Sequence, residues 1–278
     1  MIRTPIIISG CQRSGTTLTS LILDSHPEIK SIDEYDFFPP GIFRYLYEND
    51  PHATRFVAFK LPEYAHILPF IDLLPGCRIL WCIRNPLDVV WSMVNLNYTI
   101  GDTTVPWTVH PRGGWGEIAN SYWALDPKQR AEISDHMARF WALSEKFANL
   151  SKSPENLRKF DRLDCVFIGA LCWMIKNKLL SQYKDRNIDF HMIKYEDLVT
   201  NPKDSIAQIL DYIRVDWRDE VLTHHLLHKG MSIGNTDNTR AIDQKSLGEG
   251  KRNLSQEEQD LIKEISGSTA DKFRYTLD

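Results

Sequence analysis

The residues best suited to chemistry begin in the run Ile8-Ser-Gly-Cys-Gln-Arg-Ser-Gly-Thr-Thr-Leu18, where Gly10, Gly15 and the hydroxyl of Thr17 have the spacing of a phosphate-binding loop. A glycine-containing turn that leads from a strand into a helix gathers backbone N–H groups and the positive end of the helix dipole around an anion. Gln12 to Thr17 make that turn, and Ser14, Thr16 and Thr17 add hydroxyl donors. In G-x-x-x-x-G-K-[ST] a lysine reaches the outer phosphates of a triphosphate, but Thr16 stands in its place here. The cation of this loop is instead Arg13, whose planar fork binds phosphate oxygens in pairs. A second anion motif lies in Cys82-Ile-Arg-Asn-Pro-Leu-Asp-Val-Val-Trp-Ser92. There Arg84 leaves the carboxyl end of a strand, Pro86 opens a helix and Ser92 follows along it, and parallel sheets bind ligands at such strand ends. Phosphate-type groups held at two separated places fit ATP poorly, because its phosphates are contiguous.

The elements that must position these residues follow from periodicity. Short β-rich apolar runs at 5–9, 55–60, 78–83 and 189–193 alternate with amphipathic stretches at 15–25, 87–95, 134–150, 165–184, 202–213 and 256–265. That alternation predicts an α/β fold with a central, mostly parallel sheet flanked by helices, P-loop-like in its first turn. Pro202 suits a first-turn position, and Ser255 with Glu258 forms a capping box. Met137, Phe140, Trp141, Ser144 and Phe147 share one helical side and are expected to pack in the core. Residues 97–127, rich in Gly, Pro and Trp, and 230–253 read as loops that cover a ligand. Trp107, Trp115, Tyr122 and Trp123 either line an acceptor pocket or pack on the core.

The two anion motifs, in this order and spacing, resemble the sulfotransferases that use 3′-phosphoadenosine 5′-phosphosulfate (PAPS). The resemblance implies that Gln12 to Thr17 hold the 5′-phosphosulfate and that Arg84 and Ser92 hold the 3′-phosphate. Tyr195-Glu-Asp-Leu198 resembles the family's Tyr-Glu-Asp segment, whose tyrosine lies near the adenine. Gly248-Glu-Gly-Lys-Arg-Asn-Leu-Ser255 is similar to a basic loop that closes over the 3′-phosphate, without its usual tryptophan; Lys251 and Arg252 are either that cover or solvated charge. Glu34, past His26-Pro27, has the spacing of the general base in tyrosylprotein and carbohydrate sulfotransferases, and Phe37 and Phe38 beside it would raise its pKa. Asp33 and Asp36 are alternatives. Lys60 resembles the family lysine at the leaving oxygen. Phenol and steroid sulfotransferases carry a catalytic histidine two residues after that lysine; Pro62 stands there, which moves the base to Glu34 and leaves His66 and His110 as lesser candidates.

With 278 residues, 42% hydrophobic and 25% charged, the chain is expected to form a single sulfotransferase domain over 1–278. A net charge of −4 argues against a general nucleic-acid binder. The lack of a leader or an apolar run of ~20 residues predicts a cytoplasmic protein without membrane partners. The scattered cysteines, Cys11, Cys77, Cys82, Cys165 and Cys172, predict reduced thiols. His224, His225 and His228 read as a helix-surface cluster, so no metal is expected. The expected donor product is adenosine 3′,5′-bisphosphate, and the acceptor a small-molecule, carbohydrate or peptidyl hydroxyl. A P-loop kinase and a catalytically inactive nucleotide-binding module are the alternatives.

Overall fold

The computed structural model describes residues 3–34, 46, 54–68, 76–100, 103–110, 113–150, 160–228, 237 and 239–277, without the side chains of 99–100, 103 and 146–150. The chain forms two compact units, Met1–Arg84 with Arg186–Lys245, and Asn85–Asp185 with Ser246–Asp278.

The first unit is built on a five-stranded sheet in the order Ile29–Ile32, Phe56–Lys60, Thr4–Gly10, Arg78–Ile83, His191–Lys194. Every pairing is parallel. The Ile6-Ile7-Ile8 run is buried throughout, as expected for a central strand covered on both faces. On one side Ile6, Ile8, Leu80 and Ile193 join Ile22 and Leu23 of the Thr16–Asp24 helix and Ile206, Ile209 and Leu210 of the Pro202–Ile213 helix in a single core. Thr4–Gly10 takes the centre of the sheet, so the loop after Gly10 leaves from the middle of the carboxyl edge. The α/β expectation therefore holds, including a central parallel sheet. Strand Ile29–Ile32 was not expected: it has four residues with only its end isoleucines buried, too short a run to show strand periodicity.

The second unit centres on the Arg162–Lys178 helix, which is buried from Asp164 to Lys178 and packs against the Pro86–Val94, Gly114–Ala124 and Gln256–Lys272 helices. Gly169 lets Val90 approach, since a Cβ there would lie 3.2 Å from Val90 Cγ1. The predicted helix over 165–184 is two helices, Arg162–Lys178 and Leu180–Asp185, and the first starts early because the Asp161 side chain caps it by accepting from Asp164 N–H. The predicted loop over 97–127 is a correction. It holds an antiparallel hairpin, Asn97–Ile100 with Thr103–Pro106, a 3-10 turn at Trp107–Val109 and the Gly114–Ala124 helix. Glycines at 113 and 114 hid that helix from a propensity reading, yet they are needed: a Cβ on Gly113 would meet Trp107 O at 2.1 Å and one on Gly114 would meet Thr108 O at 2.9 Å. Trp107 and Trp115 are buried, with Trp115 stacked on Phe140 at 4.4 Å, whereas Trp123 is 67% exposed. Met137 and Phe140 are buried as expected, but Trp141 is exposed, and the Phe147 side chain lies outside the described residues. Of the loop predicted over 230–253, residues 230–236 and 238 lie outside the described ones, and Glu249–Asn253 is a short helix. Both predicted caps, Pro202 at the start of its helix and the Ser255–Glu258 box, are present.

Candidate active site

In the first unit each sheet strand ends beside a candidate residue. Ile29–Ile32 leads to Asp33 and Glu34, Phe56–Lys60 ends on Lys60, Thr4–Gly10 runs into the phosphate loop, Arg78–Ile83 leads to Arg84, and His191–Lys194 leads to Tyr195. Because the strands are parallel, all of these emerge at one edge, the edge at which such sheets bind ligands.

The phosphate loop is shaped by backbone that few residues adopt. Gly10 has φ +131°, and a Cβ there would sit 2.2 Å from Cys82 O, so only glycine fits. Arg13 adopts the left-handed region at φ 67°, a conformation costly for a side-chain-bearing residue and found at ligand-holding turns. Gly15, also left-handed, starts the Thr16–Asp24 helix, which has neither a side-chain cap nor an acid in its first turn. Ser14 is 1% exposed and its Oγ has no hydrogen-bond partner. The Gln12 side chain is nearly as buried, with neither amide atom partnered. Buried polar groups are normally satisfied, so orphans at an uncapped helix start mark a place for an anion.

Arg84 and Tyr195 stand against this loop. The Arg84 guanidinium lies 4.4 Å over the Tyr195 ring and donates from Nη1 to Arg13 O at 3.4 Å. Tyr195 is buried, and a Cβ on Gly15 would come within 2.7 Å of its Cδ2. The tyrosine therefore braces the loop and the arginine together.

The candidate acidic residues form a buried cluster with Lys60. Lys60 Nζ lies 2.8 Å from Asp33 Oδ2 and 3.4 Å from Glu34 Oε1, with side-chain exposures of 4%, 10% and 6%. Glu63 N–H donates to Glu34 Oε2 at 3.4 Å. Burial, opposed by Lys60 and reinforced by the charges of Glu63 and Asp33, pushes the Glu34 carboxyl up from about 4.5 to about 8. Phe37, Phe38 and Asp36 lie outside the described residues. The turn before this segment is fixed by His26: Glu28 N–H donates to its Nδ1 at 3.1 Å, so its Nε2 carries the proton and donates to Asp216 O at 2.9 Å. Sequence reasoning named Asp33 only as a rival base, whereas it is the nearer carboxylate to Lys60.

The remaining candidates, Ser92, Lys251 and Arg252, belong to the second unit. Ser92 lies on the Pro86–Val94 helix, whose Asn85 cap accepts from Leu87 N–H at 2.9 Å. Lys251 and Arg252 are exposed on the Glu249–Asn253 helix, which packs against the Pro86–Val94 helix.

The histidine cluster departs from its expected surface position. His224 and His228 are buried, and burial pushes His224 down to about 4, with His225 and His228 adding to the shift. No group of three or more metal-ligating side chains occurs among the described residues. All five cysteines are free thiols, and burial pushes Cys77 and Cys82 up to about 12. Among the described residues no helix is long and apolar enough to cross a membrane.

The sulfotransferase domain family matches residues 3–276. Among solved structures, a sulfotransferase domain from the curacin biosynthetic pathway superposes with TM-score 0.55 at 16% identity, covering 100% of this chain and 99% of that one. A sulfotransferase domain from the Synechococcus PCC 7002 olefin synthase gives TM-score 0.56 at 16% identity, with 100% and 97% coverage. Mouse sulfotransferase SULT7A1, solved in complex with PAP, gives 0.52 at 13% identity, with 98% and 86% coverage. At these identities the structures establish a shared fold.

Proposed function

The chain belongs to the sulfotransferase domain family, and from that premise we propose that it transfers a sulfuryl group from PAPS to a hydroxyl acceptor, over a catalytic domain spanning 1–278. The observation that carries the donor assignment is the pair of buried, unpartnered side chains, Ser14 and Gln12, at an uncapped helix start in a loop whose cation is an arginine. Such a loop fits a single phosphosulfate better than a magnesium triphosphate. The family motif gives the 3′-phosphate to Arg84 and Ser92, with Lys251 and Arg252 as further cations.

Sulfuryl transfer asks little covalent chemistry of a protein: attacking oxygen, sulfur and leaving oxygen lie in line, and the developing charges are met by placed groups. Glu34 accepts the acceptor's hydroxyl proton as that oxygen bonds to sulfur. Lys60 meets the negative charge on the phosphate oxygen as its bond to sulfur breaks, releasing adenosine 3′,5′-bisphosphate. Glu34 and Lys60 stand 3.4 Å apart, close enough to serve the two ends of one transferring group. Asp33, closest to Lys60, holds the ammonium in place. A base with its pKa near 8 is half ionised at mildly alkaline pH, a poise suited to taking a proton from a hydroxyl. The acceptor is a small-molecule, carbohydrate or peptidyl hydroxyl.

The test is calorimetric titration with adenosine 3′,5′-bisphosphate, adenosine 5′-phosphate and ATP with magnesium. Tight binding that requires the 3′-phosphate is expected. A preference for ATP with magnesium would replace this reading with a kinase.

A further inference from the structure

Asp88 is an acid on the first turn of the Pro86–Val94 helix, where a carboxylate is favoured by the helix dipole, but its side chain does more than that. It is 3% exposed, and its two oxygens are spent on a segment 160 residues further along the chain: Oδ2 accepts from Gly248 N–H at 2.9 Å and Oδ1 from Gly250 N–H at 2.8 Å. The Glu249–Asn253 helix has no cap from its own side chains, so Asp88 supplies one from another helix. The contact is closed around glycine: a Cβ on Gly250 would lie 2.2 Å from Leu87 O and 2.7 Å from Asp88 N. Gly248 is left-handed at φ 68°. Immediately after this junction come Lys251 and Arg252, and one helical turn beyond Asp88 on the same helix face comes Ser92.

We propose that Asp88 is a positioning residue of the 3′-phosphate subsite, pinning the 248–250 backbone to the start of the Pro86–Val94 helix so that Lys251 and Arg252 are held to the helix that carries Ser92. The inference rests on the donor reading above. Because the carboxylate already occupies the first N–H groups of the short basic helix, an anion bound there is met by side chains and not by that helix end.

The test measures affinities for adenosine 3′,5′-bisphosphate and adenosine 5′-phosphate in the full chain, for wild type, Asp88→Asn, Gly250→Ala, Lys251→Ala with Arg252→Ala, and that pair combined with Asp88→Asn. Asparagine turns an NH2 toward a backbone N–H and breaks the clamp, while Gly250→Ala breaks it sterically with Asp88 intact, so one variant stands if the other fails to fold. Each variant is expected to weaken the bisphosphate about tenfold or more and the monophosphate less than about twofold. The combined variant is expected to lose no more than the lysine–arginine pair alone, because the two changes remove one effect. Equal weakening of both nucleotides, or losses that add, would show a merely structural role and overturn the inference. Wild-type discrimination that survives Asp88→Asn and Gly250→Ala overturns the inference alone; wild type that binds the two nucleotides equally overturns the donor reading and the inference with it.

Discussion

Lys176 and Lys60, both buried, meet carboxylates in different arrangements. In the second unit Lys176, fully buried on the Arg162–Lys178 helix, pairs with the buried Glu117 of the Gly114–Ala124 helix. In the first unit Lys60 meets two carboxylates, Asp33 and Glu34, with Glu63 adding a third negative charge nearby. A lysine matched to one acid closes its charge and ties one helix to another. At Lys60 the second acid is buried as well, and that burial, with the charges of Glu63 and Asp33 added and Lys60 opposing, pushes the Glu34 carboxyl up to about 8. The first arrangement suits a core; the second suits the proposed role of Glu34 as a group that takes and gives protons.

The comparison is broken most sharply by Lys176→Met, which removes the ammonium facing the buried Glu117. The expected loss is about 3–5 kcal/mol of unfolding free energy, read by denaturant titration. A loss below about 1 kcal/mol would class this pair with exposed ones. Next in size, Glu34→Gln is expected to lower turnover about a hundredfold or more while leaving affinity for adenosine 3′,5′-bisphosphate nearly intact. Normal turnover in that variant would remove Glu34 as the base. Arg84→Ala is expected to weaken donor binding by about 1.5–3 kcal/mol, the loss of a charge-assisted contact, as measured by calorimetry.

The smallest effect concerns the sign of stability against pH. Glu34 has its folded pKa raised, so its favourable contribution is complete below about 4.5 and is lost as pH rises through about 8. His224 has its pKa lowered, so its contribution is complete above about 6.5 and is lost as pH falls through about 4. Melting temperatures across pH are therefore expected to rise in Glu34→Gln relative to wild type on the alkaline side only. A rise at pH 4 instead would contradict the burial argument.

Much of the candidate site was legible because its residues are local in the chain. A buried isoleucine strand, a glycine-spaced turn and a hydroxyl-rich helix start occupy consecutive residues, and their types are forced by the backbone at Gly10 and Gly15. Arg84 and Lys60 were legible as candidates because the first follows and the second ends a buried apolar strand. What escaped the sequence depends on contacts between distant segments. The Gly114–Ala124 helix hides behind glycines whose reason is the Trp107 and Thr108 backbone. The histidines from 224 read as exposed because their short helix shows no periodicity, yet that helix packs against the Thr16–Asp24 helix and buries two of them. Lys176 follows the apolar run Ala170 to Ile175, and that mismatch was the available signal. Asp88 gave none, because its partners are backbone groups at Gly248 and Gly250.

The most direct test of the contrast between the two lysine clusters is a carbon-13 NMR titration of the glutamate side-chain carboxyls, with the Glu34 signal identified by its loss in Glu34→Gln. A midpoint near 8 for Glu34 is expected. A midpoint near the ordinary 4.5 would mean that the second carboxylate at Lys60 holds no proton at neutral pH, and the cluster would then be a salt bridge like the one at Lys176.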